Sequence, residues 1–240
     1  MSAIRSPLLF EAWEECHGTT HSDVAVRLLC LVEPTDDVRS IAALSIGARD
    51  RRLMSLRHSL FGSTIELRTE CPTCHEQLEI DGLLDELHAP YVEADEVFEI
   101  SDGDDVVAFR APTSFDVAAA MIEKSPAQRE ASLWARCVSF WRNGVPHPPS
   151  EVHEVLARQV EETLAEVDAQ AVGGLELSCP ACDHVWHGDF DIVPILWTEL
   201  DAHVRRELHT VHRLAASYGW DEATVLALSP RRRQFYLEQV

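Results

Sequence analysis

The sequence predicts an α+β protein, mostly α-helical, with a small β-ribbon made of two knuckles and an inserted β-hairpin between them. Three observations predict it. Long stretches repeat apolar residues at steps of three and four, the period of an amphipathic helix. Short stretches instead alternate apolar and polar residues beside turn-forming residues, as paired strands do. Two Cys-Pro-Xaa-Cys turns, Cys71 to Cys74 and Cys179 to Cys182, each lie inside such an extended stretch.

In chain order, Leu9, Trp13, Val24, Leu28 and Leu31 fit two helices jointed by the turn-formers at Gly18 to Ser22. Ser40 to Phe61 reads as a further helix, with Ile41, Leu44, Leu53, Leu56 and Leu60 on its faces and Gly62 as C-cap. The strand IELRTE runs into the first Cys pair and QLEID runs out of it. VFEI and VVAFR flank SDGDD and form the inserted hairpin. Ser114 to Trp141 returns to helical spacing, with Phe115, Ala118, Ile122, Leu133, Cys137 and Phe140 inward, and Pro146, Pro148 and Pro149 read as a linker. Ser150 to Val167 is an acidic amphipathic helix, and Gly173-Gly174 leads into the second knuckle. From Ile192 to Tyr218 one apolar stripe marks a long helix, ended by Gly219. Asp221 caps a short helix, and Ser229-Pro230 opens the last one, RRRQFYLEQV.

The formal charge is −21, and it is local: residues 71–202 hold 6 Lys+Arg against 27 Asp+Glu, which accounts for all of it. Such a surface repels a phosphate backbone, so nucleic acid is disfavoured as a partner. The acidic residues in MSAIRSPLLFEAWEE do not suit a signal peptide, and no run approaches the length of a membrane span, which predicts a cytoplasmic protein. Among 7 cysteines, Cys16, Cys30 and Cys137 sit in apolar helical patterns as buried thiols.

The four remaining cysteines suit a structural Zn²⁺, which takes four thiolates as a tetrahedron. The flanks ELRTECPTCHEQLEID and LELSCPACDHVWHGDFD are similar enough to be two copies of one knuckle. Between Cys74 and Cys179 lie 104 residues, far more than an ordinary ribbon has. One site shared by Cys71, Cys74, Cys179 and Cys182 requires the fewest assumptions; two sites completed by His75, His184 or His187 are the alternative. A thioredoxin-type redox pair lacks its strand-to-helix context, a catalytic zinc lacks an open position, and metal-free vestigial knuckles are the remaining reading. The chain then divides into an N-terminal helical region, 1–64; a split zinc ribbon, 65–82 and 175–191; an inserted hairpin and helical region, 83–174; and C-terminal helices, 192–240.

No nucleophile elbow, phosphate loop or dinucleotide fingerprint occurs, SDGDD lacks the acidic ligand of a calcium loop, and His203, His209 and His212 do not share a helix face, so the sequence predicts no enzyme. Trp220, Arg231, Arg232, Arg233, Phe235 and Tyr236 are the candidate partner-binding residues, because aromatic side chains and Arg are favoured at interfaces.

The order of features, LLFEAWE, GARDRRLMSLRHSLFG, two CPxC knuckles, FRAPTSFDVAA, and an ending over His212 to Leu237 of the form HxLAxxYGWxExxxLxLSPxRRxxYL, resembles the T-even phage baseplate hub assembly chaperone family. The similarity is to its bacterial branch, encoded near contractile injection systems, and covers nearly the whole chain. It implies zinc-ribbon ligands at Cys71, Cys74, Cys179 and Cys182, and a non-enzymatic role as baseplate component or hub assembly factor, transient or permanent. Hub, spike or wedge proteins would be its partners, and it would be cytoplasmic or incorporated into a particle. The alternative is a zinc-ribbon nucleic-acid-binding regulator acting through the basic tail, or a zinc hydrolase.

Overall fold

The computed structural model describes residues 6–32, 37–83, 97–171 and 173–240. The start of the inserted region at 84–96, and the Leu31 side chain, lie outside them. Ten α-helices and eight strands occur among the described residues, and the class is α+β.

The main core is helical. Helices α1 (Ser6–Cys16), α2 (His21–Val32) and α4 (Ile46–Phe61) pack with the long helix α8 (Ile192–Tyr218), joining Leu9, Val24, Leu28, Leu53, Leu196 and Leu200 in one buried cluster. The expected helix from Ser40 onward divides into α3 (Val38–Ala42) and α4, because the Ser45 hydroxyl accepts from Ala48 N–H and starts a new helix. Side-chain capping of this kind satisfies an otherwise orphaned donor. Gly62 ends α4 at φ 88°, a backbone that L side chains rarely adopt.

One buried cation aligns the half of the molecule that carries the two Cys-Pro-Xaa-Cys turns. Arg57 of α4 makes a bidentate pair with Glu199 of α8, at 2.9 and 2.7 Å, and donates to the Gly62 carbonyl at 2.7 Å. Gly62 leads directly into β1 (Thr64–Glu70), which pairs antiparallel with β2 (Gln77–Leu83). A second hairpin, β7 (Gly174–Ser178) with β8 (Val185–Asp189), ends two residues before α8 begins. Both hairpins are therefore rooted on the same α4–α8 clamp.

Between them stands a four-stranded antiparallel sheet in the order β3 (Phe98–Asp102), β4 (Asp105–Phe109), β5 (Val138–Arg142), β6 (Val145–His147). Its Val107, Phe109, Val138 and Phe140 face Leu156 and Val160 of α7 (Glu154–Val167). The expected inserted hairpin is β3–β4; β5 and β6 replace the end of a predicted helix and a predicted linker. Helix α6 (Pro126–Cys137) gives way directly to β5, and Asn143 and Gly144, at φ 52° and 74°, close the tight turn between β5 and β6. Positive φ at both central residues is the turn whose twist suits paired strands.

A buried polar junction ties this insert to the helical core. The Ser45 hydroxyl donates to Asp168 at 2.7 Å, Gly47 N–H donates to the same carboxylate at 3.1 Å, and Ile46 N–H donates to the Pro112 carbonyl at 3.0 Å. Arg49 pairs with Asp50 and donates to Ser114 at the start of α5 (Ser114–Ala120). At the far end of α8, α9 (Glu222–Ala227) and α10 (Pro230–Leu237) build a small separate core around Val211, Leu214 and Val225. No described helix is long and apolar enough to cross a membrane.

Candidate metal centre

The two knuckles have one backbone design. In the first, His75 N–H donates to the Cys71 carbonyl and Cys71 N–H to the Glu76 carbonyl, both at 2.9 Å. In the second, Asp183 N–H donates to the Cys179 carbonyl and Cys179 N–H to the His184 carbonyl, again both at 2.9 Å. The residue after the second cysteine turns left-handed in each, with φ 62° at His75 and 56° at Asp183. Short polar side chains tolerate that region better than branched ones. Pro72 and Pro180 sit where no backbone N–H is used, and their fixed φ favours the turn.

The sulfurs of Cys71, Cys74, Cys179 and Cys182 all lie within 4.8 Å of one another. Cys71 and Cys182 approach to 3.7 Å, and Cys74 and Cys179 to 3.5 Å. A tetrahedron of thiolates about 2.3 Å from a central Zn²⁺ has sulfur–sulfur edges of about 3.8 Å, whereas a disulfide needs about 2.05 Å. The observed spacing is wide enough for an ion between the sulfurs and too wide for a disulfide. Sequence spacing alone left one shared site or two; the structure brings the four thiols from both hairpins into one cluster. Neighbouring imidazoles are engaged elsewhere: His75 Nδ1 lies 2.6 Å from Glu70, and His184 stacks on Trp186 at 5.9 Å.

Electrostatics favour a thiolate at the centre. Burial pushes the Cys71 thiol up, but the backbone N–H groups of Cys74 and Thr73 and the adjoining thiols outweigh it, bringing its pKa down to about 7. For Cys74 the backbone N–H of Glu76 lowers the value, yet contact with Cys182, burial and the other two thiols dominate and raise it to about 12. Four thiols sharing one small space cannot all ionise unless a cation shares the charge. Cys71 and Cys179 are buried, Cys74 and Cys182 exposed, so one sulfur of each pair roots the cluster and one faces solvent.

Two residues that the sequence reading left out complete the centre. Leu78 and Trp186 pack on Cys71 and Cys179. Each stands at the same position relative to its own knuckle, so aligning the two copies on their first cysteines finds them. Gly188 sits beside this wall, where a Cβ would meet Leu177 at 2.7 Å.

The aromatic and basic residues of the C-terminus form a second assembly. Tyr236 meets Trp220 edge-on at 4.9 Å and Tyr218 at 5.7 Å. Arg233 turns inward to an ion pair with Glu207 of α8 and is buried, while Arg231, Arg232 and Phe235 point outward. His209 and His212 are exposed and His203 is partly buried, with burial lowering its pKa.

A family model described as T4 bacteriophage base plate protein matches residues 28–194. That span runs from α2 into the first turn of α8 and contains both knuckles. No curated protein and no solved structure matches the chain. The match covers well over half of the 240 residues, and the chain belongs to the T4 bacteriophage base plate protein family.

Proposed function

We propose that this protein is a non-enzymatic part of a contractile injection system, acting as baseplate component or hub assembly factor, with a structural zinc in its split ribbon. The family match carries the baseplate role. The zinc reading is supported by four converging thiols, a donor set of soft ligands that selects zinc or iron and leaves no position for a reactive water. In this reading the ion joins segments 104 residues apart and fixes the insert relative to α8.

The partners are hub, spike or wedge proteins, and the outward-facing Arg231, Arg232 and Phe235 are the surface offered to them. Arg233, Tyr236 and Trp220 hold that surface in shape. Affinity capture from a strain expressing the injection system tests the proposal. Baseplate hub or spike proteins should co-purify, and deletion of the gene should abolish assembled particles. Fully assembled, active particles in the deletion strain would remove it.

A further inference from the structure

Two patches of this chain complement each other and lie at opposite ends of α8. The first is a groove between α2 and α5, formed by two cavities of about 320 and 420 Å³ that share Ser22, Asp23 and Ala118. Its apolar rim is exposed for a monomer, with Phe115 at 47% and Met121 at 58% of full exposure. Of the charged groups lining it, Arg27 is paired with Glu15 and Arg49 with Asp50. Asp23, which accepts from Thr20, and Asp191, which accepts from Val193 N–H, have no ion-pair partner among the described residues, so the groove presents two carboxylates open to a cation beside apolar space.

The second patch is the outer face of α10. Arg231, Arg232 and Phe235 stand three and four residues apart on one side, and Phe235 is 59% exposed. The inward side is fixed by Arg233 on Glu207 and by Tyr236 on Trp220. Asp191 caps α8 and Val193 in its first turn lines the groove, whereas α10 packs on the last turns of the same helix. A helix of 27 residues is about 40 Å long, so the tip cannot reach the groove of its own chain.

We propose that copies of this protein associate head to tail, with Phe235 of one seated in the α2–α5 groove of the next and Arg231 and Arg232 against Asp23 and Asp191. The inference rests on reading the α10 face as a binding surface. Such a contact is heterologous and leaves a free groove at one end and a free tip at the other. Each copy carries −21, so copies repel at long range. At about 0.15 M salt the Debye length is about 8 Å, which removes most of that repulsion and spares charges in contact.

Sedimentation equilibrium of the full zinc-loaded chain tests the proposal. At about 0.15 M salt the average mass should climb above 26.9 kDa as concentration rises, and it should fall back both near 0.01 M and near 1 M. Phe235→Asp removes the tip and Met121→Asp spoils the groove; both positions are exposed, and each variant alone should remain monomeric with unchanged circular dichroism and zinc content. Mixed together, they should give dimers and nothing larger, since one variant keeps only a groove and the other only a tip. A wild-type chain that stays at monomer mass, or a mixture that stays monomeric or grows past dimers, overturns the head-to-tail contact. A monomeric wild type that still captures a purified hub or spike protein through Phe235 assigns the tip to that protein and leaves the binding-surface reading intact. A wild type that does neither removes both.

Discussion

Replacing Asp116 with Ala tests how the groove is built. Asp116 lies in the first turn of α5 with its side chain only 4% exposed. It accepts from Arg110 at 2.7 and 3.1 Å, from Arg136 at 3.1 Å, and from the N–H and hydroxyl of Thr113 at 3.0 and 2.7 Å. Burial alone would raise its pKa, but these bonds hold the carboxyl well below the usual carboxylate range. Losing the helix cap costs about 1 kcal/mol, and breaking a buried ion pair about 3–5 kcal/mol. Arg110 and Arg136 are 37% and 44% exposed, so water recovers part of the loss. The net expectation is about 2–4 kcal/mol for Asp116→Ala and about half that for Asp116→Asn, which keeps an acceptor for the cap.

The pH dependence follows from the sign of the shift. Because the folded-state pKa is depressed, the stabilisation is complete above the unfolded value of about 3.9 and disappears as pH falls through the folded value. Urea denaturation should therefore show a constant gap between wild type and Asp116→Asn from pH 8 to about 5, narrowing below about 4. Hydrogen exchange should quicken across residues 113–120, since Asp116 holds that helix to the end of β4 and to α6. Unchanged exchange there, or a gap that persists undiminished into strong acid, would mean that the Asp116 carboxylate does not hold α5 in place.

Other substitutions probe the remaining joints. Gly47→Ala places a Cβ 2.4 Å from the Asp168 carboxylate and 2.9 Å from the Ala171 backbone nitrogen, so it should destabilise by about 2–3 kcal/mol in urea; an unshifted midpoint would deny the Ser45–Asp168 junction its role. Gly144→Ala, at φ 74°, should cost about 1 kcal/mol and loosen amide protection in β5 and β6 without changing metal content. Cys71→Ser should lower bound zinc, read by elemental analysis, whereas Cys16→Ser, buried away from the cluster, should leave it intact. Chelation should loosen the two knuckle hairpins from the metal end, because structural zinc is worth about 10–16 kcal/mol in small fingers, while far-ultraviolet circular dichroism keeps most of its helical signal from the α1–α2–α4–α8 core, to which the hairpins contribute Ile65.

Local signals were legible and long-range ones were not. Gly219, Asp221 and Ser229 cap the C-terminal helices as expected, because capping is a matter of a few neighbouring residues. The strands β5 and β6 were misread because Cys137 and Phe140 continue the period of α6, although Asn143-Gly144 already carried the turn signal. The three consecutive arginines looked like one basic patch. A helix rotates about 100° per residue, so Arg233 faces Glu207 while Arg231 and Arg232 face out. Asp168 and Ser45 lie 123 residues apart, and neither belongs to a motif, so nothing local announces their contact. The thiols were readable across a similar distance because metal chemistry fixes both residue type and spacing.

The proposed scaffold depends on one metal ion joining two hairpins from distant parts of the chain. Elemental analysis with X-ray absorption, on protein purified without added metal, reads both the number of ions and their ligands. One zinc per chain is expected, bound by four sulfurs at about 2.3 Å with no lighter donor. Well under one equivalent, two ions per chain, or a nitrogen or oxygen ligand in the zinc sphere would contradict it.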